Sequence, residues 1–108
     1  MAMIWPIILM SAHAGLAQVP NFNLNPTCQA AAVSNGFQRP QGACMRDEHD
    51  ARAQLEKQWT SYSLSERRRC TIMTQTGAPP SYVELLTCLQ MAKEASRLPA
   101  SELEGPLG

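Results

Sequence analysis

The chain has 108 residues, with nine basic against nine acidic side chains, four cysteines and a formal net charge of zero. That length bounds it to one small domain, near the size where a single core is only just sufficient without staples. A balanced charge excludes the basic footprint of a nucleic-acid or anionic-membrane binder.

Residues 4–10, IWPIILM, form a short apolar run followed by small residues, with Gly15 and Ala17 at the positions a signal peptidase reads. The expected start is therefore a secretory signal peptide over 1–17, cleaved before Gln18. AHA at 12–14 offers a second cleavage site, no basic residue precedes the run, and Pro6 interrupts it. A membrane anchor needs about 20 apolar residues, so no stable membrane insertion is expected after cleavage.

Residues 18–26, QVPNFNLNP, are rich in Asn and Pro without a period, which predicts an extended arm rather than an element. Thr27 is placed to cap a short helix of about two turns that Gly36 ends with a left-handed residue. GFQRPQG at 36–42 reads as a loop, with Phe37 as its contact back to the core. A long helix is predicted from about Ala43 to Tyr62. Cys44, Ala51, Leu55, Trp59 and Tyr62 share its apolar stripe, Glu48 leaves one gap in it, and Trp59 is the anchor. Asp47, Glu48 and Asp50 suit the positive end of its dipole. Ser63 with Glu66 is a capping box that opens a third helix, Leu64 to about Gln75, which Gly77 stops.

The best-specified segment is Pro80 to Pro99. Ser81 with Glu84 forms a second capping box, and Tyr82, Leu85, Leu86, Leu89 and Ala92 recur at helical spacing, with Val83 and Cys88 widening the stripe. The tail over 99–108 lacks periodicity and is expected to be disordered. The helical domain proper is thus assigned to 27–98. Its fold class is all-α, a small disulfide-stapled domain of three main helices plus a short N-terminal one.

Four cysteines in a short exported chain read as two disulfides, with three possible connectivities. In an antiparallel hairpin, residues at equal distances from the turn face each other. Cys70 lies about six residues before the turn near Gly77 and Cys88 about seven into the following helix, which sets them at the same height, pairs them and leaves Cys28 with Cys44. The nested alternative, Cys44 with Cys70 and Cys28 with Cys88, fits less well because Cys70 should lie opposite the middle of the long helix. Each closed loop contributes about 3 kcal/mol in the chain-entropy model.

Chemistry-bearing patterns are few. The cysteines lack the close pairs of zinc sites. Cys70-Thr-Ile-Met73 and Cys88-Leu-Gln-Met91 are CxxM units on facing helices, and with Met45 and His49 they form a soft-metal, Cu(I)-type set; the same spacing is also that of a core stripe. His49 is the one histidine after the cleavage site, and no motif supplies it with a nucleophile and an orienting group. No catalytic residue, cofactor or metal is therefore assigned, and no enzyme activity is expected. Arg67, Arg68 and Arg69 spread around most of one turn and are the candidate partner-binding residues, since arginine carries bidentate recognition.

CMRDEHDARAQLEKQW at 44–59, the lone cysteine of RRRCT, and PSYVELLTCLQMAK at 80–93 together resemble small exported four-cysteine proteins of rhizobia and related alphaproteobacteria. The resemblance covers most of residues 28–99. It implies a periplasmic or secreted location and paired cysteines, and it brings no catalytic residue with it. The expected function is a non-enzymatic interaction or structural module with an unknown protein partner in the cell envelope, reached through the arm or the arginine face. The alternatives are a copper-handling protein, or a stress chaperone that opens in acid as Asp47, Glu48 and Asp50 protonate.

Overall fold

The computed structural model describes residues 14–33 and 40–99. Its elements are α1 (Ala14–Ala17), α2 (Leu24–Val33), α3 (Gln41–Gln58) running into a 3₁₀ turn over Trp59–Ser61, α4 (Leu64–Thr74) and α5 (Tyr82–Ser96), with no strand among the described residues. The fold is all-α, and the disulfides are Cys28–Cys44 and Cys70–Cys88, with Cα atoms 5.5 and 5.7 Å apart. The hairpin counting that paired them holds because Gly77, at φ +82°, turns the chain tightly enough to bring α5 back along α4. Most of the leader expected over 1–17, the Gly36 stop, the Phe37 contact and the tail beyond Pro99 lie outside the described residues.

Helix starts follow the side-chain caps. Ser63 Oγ accepts from Glu66 N–H at 3.2 Å and Ser81 Oγ accepts from Glu84 N–H at 3.2 Å, so the serine half of each capping box forms. The glutamate halves go elsewhere. Glu66 pairs with Arg69 on the next turn, and the Ser81 N–H donates to Thr74 Oγ1 at 3.0 Å instead of to Glu84. Thr74, at the end of α4, therefore holds the start of α5.

Two expectations at the N-terminal side are corrected. The short helix begins at Leu24, not after Thr27, because Asn23 Oδ1 accepts the Asn25 N–H at 3.2 Å. Pro26 is tolerated in that first turn, where a missing N–H costs no intrahelical bond. Thr27 is inside the helix, and its hydroxyl donates to Pro80 O at 2.6 Å, tying α2 to the lead-in of α5. The arm accordingly ends at Asn23, not at Pro26, and over 18–23 it is docked on the helices. Tyr82 Oη donates to Pro20 O at 2.7 Å and accepts the Phe22 N–H at 2.8 Å, and the Phe22 and Tyr82 rings lie 4.7 Å apart.

The core gathers on α5, which packs against both α3 and α4, while α2 packs on α3. Its buried cluster joins Ala51, Leu55, Trp59 and Tyr62 to Tyr82, Leu85, Leu86 and Leu89, the pair of stripes the periodicity marks, and adds Cys70 from α4 and Leu24 from the stretch expected as an extended arm. Val83 leaves the stripe and is 40% exposed.

Glu48, the gap in the α3 stripe, is only 4% exposed. Its two carboxylate oxygens accept the Ser81 hydroxyl at 2.7 Å and the Tyr82 N–H at 2.6 Å. A carboxylate thus sits on the positive end of α5, where the dipole and two charge-assisted hydrogen bonds favour it. Glutamine would keep one acceptor and turn an NH₂ toward the other donor. Glu48→Gln is expected to lower unfolding stability by about 2 kcal/mol, read by urea denaturation; an unchanged midpoint would show that this cap contributes nothing.

Candidate functional site

The three arginines diverge, as their spacing around one turn requires. Arg67 turns inward: its Nε donates to Tyr62 O at 3.1 Å, its NH1 donates to Leu16 O at 2.9 Å, and its guanidinium carbon lies 5.7 Å from the Trp59 ring centre. Arg68 is exposed, and Arg69 is exposed beside Glu66. They do not make one surface: Arg68 and Arg69 point outward, and of the three only Arg69 lies at the edge of an apolar groove.

That groove, of about 550 Å³, runs between α4 and α5 beside the Cys70–Cys88 bridge, and its walls include Met73, Val83, Thr87, Met91 and Ala95. Met73 is 59% and Met91 67% exposed. Their reading as a core stripe is therefore overturned. Both CxxM methionines reach the same groove because each lies one turn beyond a cysteine of the same bridge. The sequence signal was present in that shared offset, but offset alone cannot tell the buried side of a helix pair from its open side.

The soft-metal set does not assemble as a whole. All four cysteines are oxidised, so no thiolate is offered. Met45 packs against the core, and His49 is exposed on α3. Among the described residues no cluster of three or more His, Cys, Asp or Glu side chains is arranged to hold a metal ion. What remains together is the thioether pair Met73 and Met91.

A second cleft, of about 330 Å³, opens between α2, α3 and the α5 lead-in, and Asp47, Glu48, Ser81 and Glu84 help line it. Its polar groups are engaged in structure: Glu48 and Ser81 in the α5 cap, and Glu84 Oε2 within 3.2 Å of the Thr74 hydroxyl. The arm is likewise committed, since Asn21 Oδ1 accepts from Arg52 at 2.6 Å. Comparison with protein-family models, with curated proteins and with solved structures returns no match.

Tyr62 orients Arg67 through its carbonyl, and its own hydroxyl donates to Gln58 Oε1 at 2.6 Å beneath the Lys93 ammonium, which lies 5.4 Å from the ring centre. Burial pushes the Tyr62 phenol above the ordinary tyrosine value of 10.0. The folded chain then keeps a proton that the unfolded chain has released, so its stability contribution is intact below pH 10 and falls as pH rises beyond it. Stability measured from pH 8 to 11 should decline above about pH 10, with a shallower decline in Tyr62→Phe. An equal slope in both proteins would contradict this.

Proposed function

We propose that the chain is a non-enzymatic interaction module, exported to an oxidising compartment as a periplasmic or secreted protein, and that its α4–α5 groove receives an amphipathic helix of a protein partner in the cell envelope. The observation that carries this reading is the exposed apolar groove itself. Of six exposed large apolar side chains among the described residues, Met73, Val83 and Met91 converge on it, and clustered exposure of this kind marks interaction sites.

Val83 to Ala95 spans about 18 Å along α5 at the helical rise, which suits a partner helix of three to four turns. Methionine walls adapt to apolar side chains of differing shape, and Arg69 and Glu84 supply opposite charges at the rim. The two disulfides fit an oxidising compartment, and no described helix is long and apolar enough to cross a membrane. The groove is open in the folded protein, which favours this reading over a chaperone that must first unfold in acid.

A photo-crosslinking residue at Met91, compared with one at the exposed Gln54 of α3 in the producing cell, tests the reading. Position 91 should capture a discrete partner that position 54 does not, and Met73→Glu with Val83→Glu, at two other walls of the groove, should abolish the capture. Equal capture from both positions, or capture of a second copy alone, would contradict it.

A second reading, soft-metal handling, rests on one observation, that the Met73 and Met91 thioethers share the groove. It requires micromolar Cu(I) binding by the native oxidised protein; absence of such binding excludes it.

A further inference from the structure

One backbone carbonyl collects two side-chain donors from distant parts of the chain. Leu16 O accepts the Trp59 indole N–H at 2.9 Å and the Arg67 NH1 at 2.9 Å. Each donor has other contacts that hold it: Trp59 belongs to the buried core cluster, and Arg67 is anchored by its Nε to Tyr62 O and lies over the Trp59 ring. An adjoining cleft of about 350 Å³ is walled by Ala17, which leaves with the leader, and by Val19, Trp59 and Thr60, which stay; its charged groups, Arg52 and Glu56, are paired with each other at 3.2 Å.

Cleavage before Gln18 removes Leu16 and leaves the indole N–H and the guanidinium facing the space it occupied. The half-buried guanidinium and the indole N–H then lose their common acceptor, and the cationic member favours an anion over a neutral carbonyl. A planar guanidinium held edge-on beside one further N–H suits a carboxylate, which offers two acceptor oxygens in one plane. We infer that Trp59 and Arg67 form a binding site for the C-terminal carboxylate of a short peptide whose last residue is apolar, entered where Leu16 lies before processing. The inference rests on the proposed export and processing, and it names a ligand class and a site separate from the α4–α5 groove. The Leu16 carbonyl seated on both donors marks where the terminal carboxylate of such a peptide sits.

The experiment takes the protein as recovered from the producing cell and first reads its N-terminus by intact mass. Retention of Leu16 would overturn the processing reading, because the donors would remain occupied. Protein that starts at Gln18 is then titrated with a peptide reproducing residues 12–16, AHAGL, as the free acid and as the C-terminal amide, by calorimetry. Trp59 fluorescence gives a second readout, since the other tryptophan, Trp5, lies in the removed leader. The free acid should bind at least about tenfold tighter than the amide, the gain expected of a charge-assisted pair. Arg67→Gln should reduce the acid to the level of the amide while near-ultraviolet dichroism stays native. Equal affinities for acid and amide, or no binding of either to the processed chain, would overturn the inference with processing intact. The acid-against-amide comparison needs no protein variant, so it decides the question even where Arg67→Gln fails to fold.

Discussion

A single buried carboxylate sets the relation of the two largest helices. Glu48 projects from the apolar stripe of α3 and takes both the Ser81 hydroxyl and the Tyr82 N–H at the start of α5. Helix α5 carries the largest share of the core, so fixing its first turn fixes where Tyr82, Leu85 and Leu89 enter that core. Thr74 adds a second hold from α4, and Thr27 ties α2 to Pro80 just ahead of the same turn. Three helices thus converge on one helix N-terminus. The disulfides then join α2 to α3 and α4 to α5, which reduces the entropy of the unfolded chain where so small a core has little surplus.

The groove follows from this arrangement. Pinning the first turn of α5 aims Tyr82, Leu85, Leu86 and Leu89 at α3 and α4, and the helical period then turns Val83, Thr87 and Met91 away. Met73 meets them from α4 because Cys70 and Cys88 hold the two helices side by side at the bridge. Core and groove are two faces of one helix. The arm completes the other side, where Phe22 lies against Tyr82 and Asn21 against Arg52.

What the sequence revealed, and what it hid, divides by the range of the interaction. The stripes of α3 and α5, the serine caps at Ser63 and Ser81, the turn at Gly77 and the disulfide pairing are local or follow from hairpin counting, and all were legible. The role of Glu48 was not, because a lone acidic residue in an apolar stripe looks like a defect until its partner, more than thirty positions away, is known. The docking of the arm was hidden for the same reason: Pro and Asn deny it a period, but a tyrosine hydroxyl some sixty positions later supplies the bonds its backbone needs. Arg67 and Arg69 are two residues apart and face opposite environments, which composition cannot distinguish. Met73 and Met91 carried a visible pattern, yet their exposure depends on which side of the α4–α5 pair receives α3.

The account stands on a helical domain stapled by two bridges, which the proposed export would let form in an oxidising compartment. The most direct test is mass mapping of an unreduced digest of the protein recovered from its producing cell. The prediction is two linked peptide pairs, Cys28 with Cys44 and Cys70 with Cys88, from a protein four hydrogens lighter than its reduced form. Free thiols, or bridges joining other pairs, would contradict the compartment and the packing of α4 against α5 together.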